Sequence, residues 1–469
     1  MARLSAAEAA QAVAGRIVAG DPEAMIDGAA IDSRAIRGGE AFFAFAGVRT
    51  DGHRFVPDAL ARGASAAIVQ RIQEDLPAPS RGALIRVDDT FKALHDLARH
   101  VRARVPERLV GITGSAGKTT TKELLAAILA SRFRVAATPG NLNNLYGFPL
   151  SLLNVPDGTQ WMVAEMGMST PGELRQLSLL GRPAAAVFTV VRPVHLEFFA
   201  SVAAIAEAKS EILAGLAPDG FIVANADDPE VARISRRHGA RVVWYGRQSR
   251  DADVRGRDLA PEPGGAVGSR FVLEAGSRST EVRLPLHGLY NVENCLAAAA
   301  CAWALGLSLD EIAAAVRGAK PASMRGVVHR TEQGFILIDD SYNSNPDALG
   351  KALESAAALP GERRVAVLGD MRELGPAGPY FHREAGQQAA RLGFSPVVGV
   401  GELSRELVAG AEAAGAAAIW VPDAAAAAEW AAGEVRPGDL VIVKASRGVG
   451  LEKVVRRLLG ESAAGEGAH

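Results

Sequence analysis

Residues 109–123, LVGITGSAGKTTTKE, decide how this chain is read. The apolar run Leu109 to Ile112 predicts a short strand. It enters a loop containing Gly114, Ser115, Ala116 and Gly117, and a helical pattern starts at Lys118, Thr119 and Thr120. Small residues in such a loop let backbone N–H groups approach a polyphosphate. The lysine supplies positive charge, and a threonine hydroxyl can reach Mg²⁺. The spacing departs from G-x-x-x-x-G-K-[ST], which would need a glycine where Ile112 stands. The order strand, Gly117-Lys118-Thr119, helix nevertheless points to nucleoside triphosphate binding rather than to a structural turn.

The 469 residues exceed what one core organises, and about three domains are expected. A net charge of −2 argues against a dedicated nucleic-acid binder, which would show a basic excess. The N-terminal stretch MARLSAAEAAQAVAG lacks the apolar core of a signal peptide, and no apolar run is long enough to span a bilayer. Cys295 and Cys301 have no partner spacing for metal and read as small buried hydrophobes of a reducing compartment. A cytoplasmic chain, expected to be a monomer and not inserted in membrane, follows.

Working outward, the first hundred residues predict a small α/β unit. Leu4 to Val18 has helical periodicity, Ala29–Ile31 and Ala41–Phe45 read as strands, and Thr90 to Val105 reads as helix. From residue 107 strands alternate with helices, and each strand ends in a polar cluster. Trp161 to Ala164 leads to Glu165, Ala184 to Val191 to Arg192-Pro193-Val194-His195, and Phe221 to Ala224 to Asn225-Ala226-Asp227. This alternation predicts a parallel sheet with ligands beyond the strands' carboxyl ends. A Gly-rich insertion is expected at 260–276, and Asn291 reads as a helix N-cap within HGLYNVEN. After residue 326 a second doubly wound pattern runs to about residue 460, with Asp339-Asp340-Ser341-Tyr342-Asn343 and Lys444-Ala445-Ser446-Arg447 at strand ends. The expected domains are 1–106, 107–325 and 326–460, with a disordered tail at 461–469.

Taken from composition alone, Glu165 could be a solvated carboxylate or an Mg²⁺ ligand, His195 a structural histidine, and Lys209 a surface lysine in the helical run 201–216. Asn141, Asn143 and Asn144 could equally be turn residues.

The ordered series DSR (32–34), DGH (51–53), TGSAGKTTTKE, TPGNLNN (138–144), AEMGM (164–168), HLEFF (195–199), AKSEI (208–212), HGLYNVEN (287–294), DDSYNSNP (339–346), LGDMRELG (368–375) and KASRG (444–448) resembles the Mur ligases. These are the ATP-dependent amide ligases of the bacterial cell-wall precursor. DDSYNSNP and LGDMRELG resemble the branch that adds D-alanyl-D-alanine to UDP-N-acetylmuramoyl-tripeptide.

The resemblance implies a three-domain α/β fold: a central parallel-sheet ATPase domain between an N-terminal α/β substrate domain and a C-terminal Rossmann-like domain. Gly114 to Thr120 would hold ATP, with Lys118 on the phosphates. Thr119 or Thr120, Glu165, His195 and Lys209 as a CO₂-derived carbamate would hold Mg²⁺. Asn294 would meet adenine, and Arg325 and Asp340 ribose or phosphate. Ser33, Thr50, Asp51, Gly52 and His53, with Asn141 and Asn143, would hold the UDP-linked substrate. The rival readings are a folylpolyglutamate synthetase-like ligase and a nucleotide switch that hydrolyses ATP without joining anything.

Overall fold

A computed structural model describes residues 3–47, 50–72, 81–105, 108–194, 197–263 and 267–461. Among the described residues three large sheets and a two-stranded β1–β3 pair carry the chain, which gathers into two compact units. One unit is Met1–Thr113, Arg132–Val187 and Lys209–Ile222; the other is Gly114–Ser131, Phe188–Ala208 and Val223–His469.

In the first unit, β1 (Leu4–Ser5), β2 (Arg16–Gly20), β3 (Met25–Ile26), β4 (Gly28–Ala30), β5 (Glu40–Phe43), β6 (Ala66–Val69) and β7 (Ala83–Arg86) open the chain. Five of them form a sheet in the order β2-β7-β6-β5-β4, parallel except at the β2 edge. The helix expected over Leu4–Val18 is shorter. It spans Ala6–Ala12, with Ser5 and Glu8 closing a capping box, and the chain then turns into β2. The reason is steric. Gly15 passes so close to β7 that a Cβ there would lie 2.9 Å from both Ile85 and Val87. A helix continuing through this point could not lay Ile17 beside Ile85, as the antiparallel edge pairing does.

The central strands are β8 (Arg108–Thr113), β9 (Val135–Ala137), β10 (Trp161–Glu165), β11 (Ala185–Phe188), β12 (Phe221–Asn225), β13 (Arg241–Gly246), β14 (Val254–Pro261), β15 (Ser269–Ala275) and β16 (Arg278–Leu284). Their order is β16-β15-β14-β13-β12-β11-β8-β10-β9. β10 runs parallel to both β8 and β9, with Glu165 level with Ile112. The all-parallel expectation fails at one edge, because β14, β15 and β16 are antiparallel. The Gly-rich stretch at 260–276 is largely strand, with Phe271, Leu273 and Ala275 buried on one face by period-two alternation. Gly276, at φ 58°, makes the hairpin turn into β16. Residues 264–266 of that stretch lie outside the described residues.

Within the first unit, the N-terminal sheet is fastened to central elements by side chains that imitate backbone. Asn154 accepts from Ala29 N (3.0 Å) and donates to Ala29 O (2.8 Å), extending edge strand β4. His95 Nε2 donates to Leu145 O (2.7 Å), and Arg102 Nε to Gly181 O (2.9 Å). Tyr146 packs edge-on against both Phe45 and Phe91.

In the second unit, β17 (Val327–Arg330), β18 (Ile336–Asp339), β19 (Arg363–Gly369), β20 (Phe394–Val400), β21 (Ala418–Val421) and β22 (Asp439–Lys444) form a sheet ordered β17-β18-β22-β19-β20-β21. Only β17 is antiparallel. Alternation sorts its strands between two cores. Ala366, Leu368, Leu440 and Ile442 face the helices 346–357, 378–391 and 404–413. Val365, Val367, Val441 and Val443 face the helices 424–434 and 452–459. The predicted strands over 335–338, 365–368, 397–400, 417–421 and 440–443 each coincide with an observed one to within a few residues. The tail 462–469 lies outside the described residues.

Asn154→Ala should destabilise the chain by about 1–3 kcal/mol, since it leaves both polar groups of Ala29 without their amide partner. Chemical denaturation checks this, and the same loss should not follow from Asn→Ala at exposed Asn141. A pH effect follows from His382, which is buried with Nδ1 donating to Gly378 O (2.7 Å) and Nε2 accepting from Met371 N (2.9 Å). Burial holds its pKa below the ordinary histidine value. The neutral ring is therefore the folded form, and its stabilisation is present above about pH 6.5 and lost as pH falls below that. The denaturation midpoint should drop from pH 7 to pH 5, and less steeply in His382→Gln.

Candidate active site

The second unit contains the phosphate loop. Gly117, at φ 82°, precedes the helix Lys118–Ala130, and Gly114 has φ 153°. A Cβ on Gly114 would collide with Thr189 Oγ1, and one on Gly117 with Asn294 Oδ1. Both glycines are thus required by close approach as well as by dihedral angle. Lys118 Nζ donates to Gly114 O (2.9 Å), folding the lysine back over its own loop. Thr119 is buried and Thr120 half-buried at the first helical turn, where the helix dipole favours an anion.

Neighbouring strand ends hold the loop. Thr189 Oγ1 donates to Ala116 O (2.6 Å), and Ser115 N donates to Val190 O (2.7 Å). Ser115 Oγ donates to Arg192 O (3.1 Å) and accepts from Arg192 N (2.9 Å). Asn294 Nδ2 donates to Asn291 Oδ1 (3.2 Å), and Asn291 Nδ2 to His287 O (2.7 Å). Gly288, not Asn291, is the N-cap of the helix Leu289–Ala304, so the expected cap is corrected. Asn291 lies inside the first turn and bonds backwards to the preceding carbonyl. Cys295 and Cys301 on this helix are fully buried, and burial pushes the Cys295 thiol up to about 12. They are packing residues, as the sequence suggested.

Further along the same unit, Asp340 pairs with buried Lys444 (2.6 Å), whose Nζ also donates to Asn343 O (2.9 Å). Arg325 stacks over Tyr342 at 4.0 Å from the ring centroid. Buried Asp339 receives both the N–H (3.1 Å) and the hydroxyl (2.6 Å) of Ser341, and burial raises its pKa. Asp370 Oδ1 accepts from Ser404 N and Oγ, both at 2.8 Å, and its carbonyl accepts from Ser446 N (3.1 Å). The LGDMRELG and KASRG loops are therefore tied together at the ends of β19 and β22. His195 lies outside the described residues.

The first unit holds the other predicted residues. Glu165 is buried at the end of β10, and Asn143 Nδ2 donates to its Oε1 (2.7 Å). Lys209 is buried in the last turn of the helix Val202–Ser210, so the bland reading of a surface lysine is wrong. Asn144 caps the turn into the helix Gly147–Leu153 through Tyr146 N (3.0 Å) and Gly147 N (2.8 Å), while Asn141 is exposed. Ser33 is buried in a single helical turn capped by Asp32. His53 is buried as well, with Nδ1 donating to Asp51 Oδ1 (2.7 Å) and Nε2 accepting from Gln70 N (3.1 Å). Both ring nitrogens being used, His53 serves the Thr50–His53 loop as its anchor. Gly52 passes so close to Phe45 that a Cβ would lie 2.8 Å from its backbone. Among the described residues no group of three His, Cys, Asp or Glu side chains is placed to hold a metal. No described helix is long and apolar enough to cross a membrane.

Sequence reading missed Thr189, Arg192 and Asp228, the side chains that hold the phosphate loop's neighbours in place. Their signal was their place at strand ends in the same alternating pattern.

Three family models match in order: the Mur ligase family catalytic domain over residues 25–102, the Mur ligase middle domain over 112–302, and the Mur ligase glutamate ligase domain over 324–447. The UDP-N-acetylmuramoyl-tripeptide–D-alanyl-D-alanine ligase of Bacillus subtilis is 33% identical, over 93% of this chain and 94% of that one. A crystal structure of MurF from Acinetobacter baumannii superposes with TM-score 0.86 at 30% identity, covering 98% of this chain and 99% of that one. One of MurF from Thermotoga maritima in complex with ADP gives 0.79 at 29% identity, over 92% and 97%. The fold is thus the three-domain α/β architecture of an ATP-dependent amide ligase, with a central sheet domain. The chain belongs to the Mur ligase family.

Gly117→Ala should weaken ADP binding at least tenfold while leaving the thermal midpoint within a few degrees. The added methyl displaces Asn294 and penalises the left-handed backbone at the loop's end. Calorimetric titration with ADP is the check.

Proposed function

We propose that this chain joins D-alanyl-D-alanine to UDP-N-acetylmuramoyl-tripeptide, using ATP, in the cytoplasmic assembly of the peptidoglycan precursor. The observation that carries this reading is the nearly full-length likeness to D-alanyl-D-alanine ligases, with the strand, Gly117-Lys118-Thr119 loop and helix intact. The tripeptide carboxylate attacks the γ-phosphorus of ATP, giving an acyl phosphate and ADP. The dipeptide amine then attacks the acyl carbon, and inorganic phosphate leaves. No side chain of the enzyme need become covalently attached, so its work is positioning and neutralisation of phosphoryl charge.

In this reading Gly114, Ser115, Ala116, Gly117, Thr119 and Thr120 cradle the phosphates, and Lys118 leaves Gly114 O to meet them. Asn294 meets adenine, and Arg325 and Asp340 the ribose or phosphate. Ser33, the Thr50–His53 loop, Asn141 and Asn143 hold the UDP-linked substrate. Glu165, a buried carboxylate oriented by Asn143, and Thr119, a buried hydroxyl, are each a hard oxygen donor of the kind Mg²⁺ takes. Thr120, His195 and Lys209 as a carbamate complete the proposed set. Mg²⁺, when bound, neutralises charge that develops on the transferring phosphoryl group.

The burial of Lys209 supports its modification. CO₂ reacts with a neutral amine, and half-neutralising an ordinary lysine at pH 7 costs about 4.6 kcal/mol at 1.36 kcal/mol per pKa unit. The carbamate then offers an oxygen anion where an ammonium would repel the metal.

Two measurements test the proposal. ADP release should require both UDP-N-acetylmuramoyl-tripeptide and D-alanyl-D-alanine, and release without either would make the chain a simple ATPase. Lys209→Ala should lose about 100-fold or more in turnover, and formate should restore part of it at fixed pH and Mg²⁺. Full activity without formate would end the carbamate reading.

A further inference from the structure

Arg192 follows β11 and takes no part in the assignments above, yet it joins three separate pieces of the second unit. Its backbone N–H and carbonyl hold Ser115 of the phosphate loop, at 2.9 and 3.1 Å. Its guanidinium Nη1 donates to Asp228 Oδ2 (2.7 Å) and to Val191 O (2.8 Å). Its Nε donates to Asp347 Oδ1 (3.2 Å), at the start of the helix Pro346–Ala357 that follows DDSYNSNP.

Asp228 is buried and cannot adjust. Oδ2 also accepts from Val191 N (2.9 Å), while Oδ1 caps the helix Pro229–Arg236 through Glu230 N and Val231 N, both at 3.0 Å. The guanidinium is thus fixed on one side by a carboxylate with four donors. Its remaining reach is spent on Asp347. The same helix receives His287 Nε2 at Ser355 O (2.6 Å) and presents Lys351 to Asp347 (3.4 Å) and Glu293 (3.9 Å). Glu293 adjoins Asn294, which packs on Gly117. A second link lies five residues beyond Arg192, where Glu197 N donates to Glu373 O (3.4 Å) in the LGDMRELG loop.

We propose that Arg192 is a positioning residue that sets the phosphate loop in register with the helix Pro346–Ala357, so that ligation, rather than nucleotide binding, depends on the Arg192–Asp347 pair. The inference rests on the ligase reading, in which the C-terminal domain brings the incoming amine to the acyl phosphate. The planar fork of arginine is needed because one side chain must satisfy two carboxylates in different directions. A lysine offers a single ammonium and cannot serve both at these distances.

The test uses the full-length enzyme with Arg192→Lys, Asp347→Asn and the double variant. Expected are ADP affinities within about threefold of wild type, ligation kcat reduced about tenfold in each single variant, KM for ATP unchanged, and a double variant no slower than the worse single one. Such non-additivity identifies the pair as one coupling unit. Ligation within twofold of wild type in both single variants, losses that multiply in the double variant, or a parallel fall in ADP affinity would overturn the proposal. Should Arg192→Lys fold poorly, Asp347→Asn, whose carboxylate is a quarter exposed, decides on the same kcat and ADP criteria. A wild-type enzyme that releases ADP but joins no dipeptide would strike the ligase reading instead, and is told apart because the variants are then not at issue.

Discussion

A polyphosphate can be bound by backbone only where the backbone is bare and cannot retreat, and that requirement shapes the second unit around the Gly114–Gly117 turn. Removing side chains alone would leave a flexible loop whose ordering would have to be supplied on binding. Here Thr189 and Asn294 occupy the spaces that Cβ atoms would need, so the glycines are bare and also packed. Ser115 and Ala116 are bonded to the 189–192 segment, which leaves the loop little freedom before any ligand arrives. Preorganisation of this kind is what makes dipoles effective against developing phosphoryl charge.

The sheets serve the same end by a simpler rule. Parallel strands deliver the residues after them to one edge, and a two-residue alternation decides which core each strand residue joins. In the six-stranded sheet, Val365 and Val367 go one way and Ala366 and Leu368 the other, so a near-continuous apolar run fills two cores at once. The polar residues that close such runs, Asp339-Asp340 at the end of β18 and Lys444 at the end of β22, then fall side by side, and Asp340 pairs with Lys444. Chemistry at strand ends is thus a consequence of topology, and needs no separate design of the backbone.

What could be read in the sequence follows from which forces are local. Buried parallel strands bounded by glycine or polar clusters were legible, as were the phosphate loop and the order of the motifs. The strands β2, β14, β15 and β17 were not, because each is partly exposed along its length and carries a weak apolar signal. The 4–18 segment looked helical throughout since alanine favours helix, and it was the close pass of Gly15 over β7 that redirected it. Asn291 carried the residue type of a cap but sits inside the first turn of a helix that Gly288 caps. Lys209 was illegible for a different reason: the burial of a lysine depends on everything around it, and its helix shows no marked amphipathic stripe to betray it.

Glu165 and Asp228 show why residue type and position do not by themselves separate chemistry from architecture. Both are buried carboxylates at the ends of central strands, Glu165 closing β10 and Asp228 three residues beyond β12. Asp228 is committed to Val191 N, Glu230 N, Val231 N and the Arg192 guanidinium, which together use its lone pairs and leave it no capacity for a cation. Glu165 receives a neutral amide from Asn143, an interaction that orients a carboxylate without neutralising its charge. A guanidinium consumes a carboxylate's charge, whereas an amide aims it. Asp228 belongs to the framework that keeps the loop's neighbours in place, and the distinction becomes visible only when the hydrogen-bond partners, distant in sequence, are known.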